Sequence, residues 1–280
     1  MSATLLSLWT SLRRRLEAEG VDSPVTDARV LIEAGAGVSR LDIVTDPYRE
    51  LSEAQRDAVE ALAMRRASRE PIAYILGRKA FWNIELAVGP AVLIPRPETE
   101  LLVEAALEML AREAPARVLD LGVGSGAIML AVLAERPSVT GVGVDRSTGA
   151  LAFAAANAAA LGLSERAHFV EGDWAAEGRF DLVLSNPPYI RSADIPALTP
   201  ELHYEPRLAL DGGGDGMDAF RAILAALPEL LTPSGAFAFE VGEGQADSVA
   251  AMAEAKGLTI LPHRRDLHGI ARVVAGRAPG

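Results

Sequence analysis

The stretch Asp120-Leu-Gly-Val-Gly-Ser-Gly126 decides how this chain of 280 residues folds. A short apolar run at 117–121 leads into it, and a helical pattern begins directly after it. Glycines let a backbone approach a ligand closely, and the first turn of a helix has N–H groups without helical partners. The stretch therefore predicts a strand-to-helix turn that binds a nucleotide-like cofactor, a tight turn without ligand being the alternative. The residues assigned to the cofactor here are Gly122, Val123, Gly124, Ser125 and Gly126.

Strand and helix patterns alternate on both sides of this turn, from residue 97 to the end of the chain. The predicted strands lie at 117–121, 141–145, 168–171, 181–185, 236–241, 258–261 and 271–275. Alternating strands and helices predict a parallel, doubly wound α/β sheet. Such sheets bind ligands at the carboxyl ends of their strands, so we expect the functional residues there.

Acidic residues follow the second and third predicted strands. Asp145 lies 19 residues after Gly126, where an acid can accept hydrogen bonds from both ribose hydroxyls. With Ala127 the turn also satisfies the dinucleotide pattern G-x-G-x-x-G/A, so NAD stays a candidate ligand. After the third strand, Asp173 is placed to accept a hydrogen bond from an adenine amino group and Trp174 to offer its flat face to the ring. A capping aspartate and an ordinary surface tryptophan are the alternative for this pair.

The fourth predicted strand runs into Asn186-Pro187-Pro188-Tyr189. Two consecutive prolines have fixed φ angles and no N–H, so they form a stiff loop whose carbonyl groups can accept hydrogen bonds. Asn186 adds its side-chain oxygen as a further acceptor, and Tyr189 adds a flat wall. A planar slot with two acceptors suits an –NH₂ group, whereas a rigid turn is the alternative. We expect Asn186, Pro187, Pro188 and Tyr189 to bind the substrate, and Asn186, Pro187 and Tyr189 to act in catalysis.

The region before the sheet has a different organisation. Residues 1–76 show only helical periodicity and predict a bundle of five small helices, with Ser52 and Gln55 as a capping box. Residues 77–95 predict a β-hairpin linker that turns at Gly89-Pro90. Residues 96–280 form the predicted α/β domain, and no residue of the bundle has an evident chemical role.

Composition excludes several classes of protein. The chain has 38 acidic and 27 basic residues, a net charge of −11, which disfavours a nucleic-acid backbone as partner. It has no cysteine, and its four histidines are scattered, so no metal site is expected. No basic segment with a following apolar run occurs at the N-terminus, and no apolar run of ~18 residues occurs anywhere. We therefore expect a cytoplasmic monomer without a membrane partner.

The motifs together resemble those of a known enzyme class. Asp120 to Gly126, Asp145 and Asn186 to Tyr189 look like the motifs of S-adenosylmethionine-dependent methyltransferases with a seven-stranded Rossmann-like sheet. Two further segments, 95–100 and 205–216, resemble motifs of the PrmC/HemK family. This resemblance extends over the whole chain. The resemblance implies S-adenosyl-L-methionine as cofactor, also contacted by Asn186. It further implies that the chain methylates the side-chain amide nitrogen (N5) of the glutamine in the Gly-Gly-Gln motif of peptide-chain release factors.

Three other functions each agree with part of the sequence. An adenine-N6 nucleic-acid methyltransferase meets the same –NH₂ chemistry but needs a basic groove, which the net charge of −11 disfavours. Arginines do cluster in the predicted bundle, either on solvated helix faces or as a dock for an acidic release-factor surface: Arg13, Arg14, Arg15, Arg65, Arg66 and Arg69. An NAD-dependent dehydrogenase leaves the Asn-Pro-Pro-Tyr motif without a role. A non-catalytic binding protein leaves all three motifs without a joint explanation.

Overall fold

The computed structural model describes residues 4–279, and the chain divides into two compact units. The first unit contains the chain up to Gly77 together with Thr199–Tyr204, and the second contains Arg78–Leu198 and the chain from Glu205 onward. Each unit has its own cluster of buried apolar side chains. Within residues 4–279, no helix is both long and apolar enough to cross a membrane.

The described part of the first unit contains the short 3₁₀ helix Pro200–Tyr204 and, as predicted, five α-helices. They are α1 (Leu5–Ala18), α2 (Pro24–Ala36), α3 (Arg40–Thr45), α4 (Glu53–Ala67) and α5 (Ile72–Leu76). The predicted capping box is present, because the N–H of Gln55 donates to Ser52 Oγ at 3.2 Å and the N–H of Ser52 donates to Gln55 Oε1 at 3.1 Å. The apolar faces of α1, α2 and α4 meet in a common core that includes Leu16, Ile32 and Val59.

The arginines in the last turn of α4 and just after it form ion pairs. The Nε of Arg66 donates to Asp27 at 2.7 Å, with the two side chains only 7% and 8% exposed. Arg66 also donates to Glu201 at 3.1 Å, and Arg69 donates to the same carboxylate at 2.7 Å. Arg65 pairs with Glu70. Arg66 therefore belongs neither to a solvated helix face nor to a docking surface, because its charge is buried and neutralised inside the first unit.

The β-hairpin of the second unit lies earlier than predicted. Its strands are β1 (Arg78–Phe81) and β2 (Ile84–Ala87), so the hairpin does not turn at Gly89-Pro90 as predicted. Gly89 and Pro90 do form a turn, in which the N–H of Val92 donates to the carbonyl of Gly89 at 3.0 Å, but it lies after the hairpin. Trp82 stands in alternation with the apolar Ile84 and Leu86, as in a strand, but it occupies the turn with a φ of +53°. Long-range hydrogen bonds hold it there: its backbone N–H donates to Glu100 and its indole N–H to Glu135, both at 2.9 Å.

A single large sheet forms the core of the second unit. Its strands are β3 (Ala116–Leu121), β4 (Val139–Asp145), β5 (Ala167–Glu171), β6 (Phe180–Ser185), β7 (Leu231–Glu240), β8 (Thr259–Ile260), β9 (Arg264–Arg265) and β10 (Ala271–Arg277). Seven strands follow in the order β5-β4-β3-β6-β7-β10-β8, and the short β9 pairs with β10. The first five in this order pair in parallel, and β10 is antiparallel to β7. The predicted doubly wound α/β sheet is thereby confirmed, but it is not parallel throughout as predicted, because β10 is antiparallel to β7, β8 and β9.

Helices connect the strands and cover the sheet. They are α6 (Glu100–Met109), α7 (Ala127–Glu135), α8 (Thr148–Ala160), α9 (Asp218–Leu230) and α10 (Ala246–Glu254). The chain moves outward from β3 through β4 to β5 and then returns to β6 on the other side of β3. This reversal is the topological switch point at which open α/β sheets bind ligands. The carboxyl ends of β3, β4 and β6 are therefore brought together there.

The buried ion pair of the first unit gives a prediction about stability. Arg66→Met should lower the free energy of unfolding by about 3–5 kcal/mol, because it leaves the buried Asp27 carboxylate without its partner. Arg15→Met is the matched control: its pair with Glu60 is 38% and 53% exposed, so we expect a loss below about 1 kcal/mol. Urea unfolding followed by circular dichroism measures both. Equal losses in the two variants would contradict the role given to Arg66.

Candidate active site

A cavity of about 270 Å³ opens at the switch point of the sheet. Most of the residues predicted for the site line it: Gly122, Val123, Gly124, Ser125, Asp145, Asp173, Trp174, Asn186 and Pro188. Three predicted residues are not part of the lining, namely Gly126, Pro187 and Tyr189. The structure thus brings the ends of four strands to one cavity, and it gives the three other residues different surroundings.

The glycine turn after β3 is held by backbone hydrogen bonds to β4. The N–H groups of Gly122 and Val123 donate to the carbonyl of Val144 at 2.8 Å and 3.0 Å. Gly126 has a φ of +85°, and a Cβ on it would lie 2.8 Å from Leu130 Cδ1. The positive φ angle and the close packing against the first turn of α7 therefore both require glycine at position 126.

Asp145 is held rigidly at the end of β4. One of its carboxylate oxygens accepts the N–H of Gly124 at 3.0 Å, and the other accepts the N–H of Ser147 at 2.9 Å. These bonds fix the carboxylate at the cavity wall. Each oxygen keeps a second lone pair with which it can accept a hydrogen bond from a ligand.

Asp120, in the quoted stretch, is a buried acid behind this wall. It is 0% exposed, and burial raises its pKa to about 8, although the N–H of Met129 donates to it at 3.2 Å and lowers the pKa. The charge of Asp145 raises the pKa further. Its Oδ1 has no hydrogen-bond partner among the described residues. Burial therefore favours the neutral form of Asp120 near pH 7, which relieves repulsion with the Asp145 carboxylate.

Trp174 lies over the glycine turn. A Cβ placed on Gly122 would be 3.4 Å from Trp174 Cζ3, so the ring and the turn are in close contact. Trp174 has a φ of +54°, which is uncommon for a large side chain. It is partly buried against the core of the second unit. This unusual backbone conformation and packing place an aromatic wall beside Asp173.

The end of β6 places Asn186 at the cavity. The hydroxyl of Ser185 donates to the carbonyl of Leu121 at 2.7 Å and ties β6 to β3. The side-chain Nδ2 of Asn186 donates to Thr99 Oγ1 at 3.2 Å. Because Nδ2 is engaged by the protein, Oδ1 is the side-chain atom of Asn186 that is left to accept a hydrogen bond from a ligand.

Tyr189 does not line the cavity and contacts Glu240 instead. Its hydroxyl donates to Glu240 Oε1 at 3.5 Å, and burial, followed by the nearby Glu240 charge, raises the pKa of Tyr189. Glu240 is 2% exposed, and burial raises its pKa to about 7, whereas hydrogen bonding to Thr99 lowers it. Glu240 carried no functional prediction, and Thr99 was singled out only as part of the segment 95–100, because nothing in the local sequence links either residue to Asn186.

The loop after the Asn-Pro-Pro-Tyr motif returns to support it. The N–H of Ile190 donates to the carbonyl of Leu210 at 3.0 Å, and the N–H of Gly212 donates to the carbonyl of Ile190 at 2.8 Å. A Cβ on Gly216 would lie 2.4 Å from the carbonyl oxygen of Tyr189, so only glycine allows this approach. The glycine-rich segment thus packs directly against the backbone that follows Asn186.

A third buried acid, Glu205, contacts two segments that line the cavity. The side chain of Glu205 is 1% exposed; it accepts the N–H of Ile94 at 3.0 Å and pairs with Arg96. The residues that follow Glu205 include Pro206, and those around Ile94 include Pro95; both prolines line the cavity. Glu205 therefore explains why both segments carry recognisable motifs, a contact that sequence separation concealed.

The charged residues of the cavity lining are mostly acidic. They are Asp145, Arg146, Asp173, Asp211 and Asp218. Among residues 4–279, no three or more potential ligands of histidine, cysteine, aspartate or glutamate type lie together as a metal ion would require. Asp211 and Asp218 form ion pairs with Arg207 and Arg221, so the lining acids that remain to act on a ligand are Asp145 and Asp173. The arrangement therefore offers acceptors for hydroxyl and amino groups and a small excess of negative charge.

Two family models match the chain in succession. The PrmC N-terminal domain matches residues 7–77, and the methyltransferase small domain matches residues 98–217. A structure of a methyltransferase from Pyrococcus furiosus is similar in fold, with a TM-score of 0.54 and 15% identity. The similarity covers 79% of this chain and 98% of that one. The structural likeness establishes the methyltransferase fold of the sheet.

Sequence relatives cover nearly the whole chain. The release factor glutamine methyltransferase of Caulobacter vibrioides is 48% identical over 99% of this chain and 97% of the relative. The protein of the same name from Rhodospirillum rubrum is 47% identical over 94% of this chain and 82% of the relative. Such identity over both chains includes the helical unit as well as the sheet. The chain belongs to the release factor glutamine methyltransferase family.

Proposed function

We propose that this protein transfers a methyl group from S-adenosylmethionine to the side-chain amide nitrogen of the glutamine in the Gly-Gly-Gln motif of release factors. The observation that carries the proposal is the position of Asn186, which lines the same cavity as Asp145 with its Nδ2 bound to Thr99. Its Oδ1 is then the acceptor for an incoming –NH₂ group. The reaction belongs to the cytoplasm, because release factors act there on the ribosome.

The lining suits the proposed cofactor. Asp145 would hold the ribose hydroxyls, Asp173 the adenine amino group, and Trp174 the face of the adenine ring. The glycine turn lets its backbone approach the ligand closely, and Asn186 closes the cavity on the side of β6. When bound, S-adenosylmethionine supplies an electrophilic methyl group on a positively charged sulfur, which the small excess of negative charge in the lining favours.

Asn186 and the proline loop would make the amide nitrogen of the substrate a better nucleophile. The lone pair of an amide nitrogen is delocalised into its carbonyl, and attack requires that it localise. Asn186 Oδ1 and a carbonyl of the proline loop, of which Pro188 lines the cavity, would accept hydrogen bonds from the two amide hydrogens. This favours a pyramidal nitrogen and so stabilises the transition state. Each such bond is worth about 1–3 kcal/mol, or roughly 5- to 150-fold in rate. Tyr189, packed against Glu240, would hold the loop rather than touch the substrate.

No observation favours the adenine-N6 alternative. That function requires a basic groove, and its best support in the sequence was the arginine cluster of the helical unit. Arg65, Arg66 and Arg69 of that cluster pair with carboxylates of their own unit. The cavity lining also has a single arginine, Arg146, among its charged residues.

We further propose that the helical unit, predicted as residues 1–76, docks the release factor. It carries none of the residues that line the cavity, yet the relatives retain it, since the 48% identity extends over 99% of the chain. Exposed apolar side chains on and after α3 offer a surface for such contact: Leu41, Val44 and Tyr48 are 68%, 70% and 74% exposed.

Cofactor affinity tests the assignment of Asp145. Asp145→Ala should weaken S-adenosylmethionine binding by about tenfold or more, because hydrogen bonds to a charged group are worth about 1.5–3 kcal/mol. Isothermal titration calorimetry measures the loss. Asp247→Ala, at a fully exposed acid outside the cavity, is the control and should bind normally. Unchanged affinity in Asp145→Ala, or tight binding of NAD by the unaltered protein, would contradict the assignment.

A series at Asn186 tests acceptance of the amide hydrogens. Asn186→Ala should slow single-turnover methyl transfer by about 10- to 100-fold, with a smaller change in cofactor binding. Asn186→Asp keeps an oxygen in place and should retain more activity than alanine. It should still be slower than asparagine, since a carboxylate stabilises the positively charged ground state more than the transition state.

Radiolabelled methyl transfer to a release factor measures this series. A release factor whose Gly-Gly-Gln glutamine is replaced by alanine, and plasmid DNA, serve as control acceptors. Label in DNA but not in the release factor would refute the proposed function. Aspartate falling below alanine would show that charge rather than acceptor geometry dominates the site.

Removal of the helical unit tests docking. A chain starting at Arg78 keeps the whole of β1 and should still bind cofactor. Its kcat/KM for a full release factor should fall by about tenfold or more, because interface area is lost. The removal also takes away Arg66 and Arg69 from Glu201, so full-length Glu201→Gln is the control for that loss. Equal kcat/KM for the truncated and full chains, or an equal fall in the control, would refute docking.

A further inference from the structure

The side chain of Gln245 joins three separate stretches of backbone next to the Asn-Pro-Pro-Tyr motif. Its Nε2 donates to the carbonyl of Tyr189 at 3.1 Å and to the carbonyl of Gly216 at 3.2 Å, while its Oε1 accepts the N–H of Gly242 at 2.9 Å. The first stretch follows β6, the second precedes α9 and the third follows β7. Both ends of the Gln245 amide are thus engaged by backbone groups of the protein.

Two glycines let the Gln245 amide reach these partners. A Cβ on Gly216 would lie 2.9 Å from Gln245 Nε2, and a Cβ on Gly242 would lie 2.8 Å from Gln245 Oε1. The partners also fix which end of the amide faces which way, because a carbonyl only accepts a hydrogen bond and a backbone N–H only donates one. A flipped amide would lose all three bonds, so this site requires a glutamine amide in one orientation.

The prolines of the motif explain why the loop needs such an anchor. Neither proline has an N–H, so the loop cannot be fixed by hydrogen bonds donated at these two positions. A proline carbonyl that is to accept a hydrogen from the substrate must also stay free of the protein. The loop is therefore held beyond the prolines, where Ile190 bonds to the glycine-rich segment and the carbonyl of Tyr189 accepts from Gln245.

We propose that Gln245 is a positioning residue, which fixes the backbone at Tyr189 and thereby the place of Asn186 at the cavity. The fixed φ angles of the two prolines between these residues transmit the position from one to the other. Gln245 is not part of the cavity lining, so it acts only through the loop. That Asn186 acts on an amide rests on the proposed function, whereas the anchoring of the loop does not.

Nuclear magnetic resonance tests the anchor without any methyl transfer. The chain has only two glutamines, so side-chain ¹⁵N labelling of glutamine gives two –NH₂ groups, and Gln245→Met identifies that of Gln245. Its signals should exchange slowly with water, as should those of Gln55, whose Nε2 donates to the carbonyl of Ala36 at 2.7 Å. Exchange as fast as that of glutamine in a short peptide would show that Gln245 holds no backbone, and would overturn the proposal.

The asparagine side chains report whether the anchor places Asn186. Gln245→Met should shift the ¹⁵N-labelled –NH₂ signals of Asn186, although Gln245 makes no bond to it, and Asn186→Ala assigns these signals. Gln245→Glu keeps an oxygen for Gly242 but sets a second oxygen against two carbonyls, so it should shift them as well. Asn157, whose Nδ2 donates to the carbonyl of Ser125 in the glycine turn, should not move and shows that the rest of the site is folded.

Kinetics test the consequence for the reaction. Gln245→Met should slow single-turnover transfer to a saturating release factor by about tenfold, because a small displacement of a positioned group costs rate, with cofactor affinity within about twofold. In the Asn186→Ala background the same change should cost less than about threefold, since the two residues act on one step. Glu243→Met, at an exposed residue of the same turn, is the matched control and should transfer at the full rate.

The outcomes separate this proposal from the proposed function. Unmoved Asn186 signals in both Gln245 variants, or an equal loss of rate with and without Asn186, would overturn the positioning role. A fall in cofactor affinity as large as the fall in rate would do the same, because it would show that Gln245 supports the whole cavity rather than the loop. If the unaltered protein transfers no methyl group to a release factor, the proposed function fails, while the spectra still decide whether Gln245 places Asn186.

Discussion

Parallel pairing of β3 with both β4 and β6 is the constraint on which the site depends. The pairing puts Leu121 beside Val144 on one side and beside Ser185 on the other. The next residues along the three strands are then forced to the same edge: the glycine turn, Asp145 and Asn186. Ser185 reinforces this register, because its buried hydroxyl donates across the strands to the carbonyl of Leu121. A slip of one residue would turn Asn186 away from the cavity.

The parts of the site that could be predicted from sequence are those that depend on a single strand end. A glycine turn, an acid after the next strand and a proline loop each carry their signal within a few residues. Thr99, Glu205 and Glu240 could not be found in this way, because each acts on a segment about 50 to 110 residues away. The position of the hairpin was predicted wrongly for the same reason, since hydrogen bonds to the distant residues Glu100 and Glu135 hold Trp82 in the turn.

Charge in this molecule is also organised in ways that composition conceals. The net charge of −11 gives no indication that Arg66 is buried against Asp27, or that two acids lie beneath the site. Burial raises the pKa of Asp120 to about 8 and that of Glu240 to about 7. Since both values exceed the ordinary pKa, these groups oppose folding increasingly as pH rises from about 4 toward 8. Their presence beneath the cavity points to a role other than stability.

For Glu240 that role follows from its contact with the loop that carries Asn186. The hydroxyl of Tyr189 donates to Glu240 Oε1 at 3.5 Å, and Tyr189 directly follows the proline pair. Glu240 ends β7, which pairs in parallel with β6. An apolar residue at 240 would save the cost of burying an acid, but it would leave the hydroxyl of Tyr189 without this acceptor. The buried acid thus ties the end of β7 to the loop that follows β6 and brings Asn186 to the cavity.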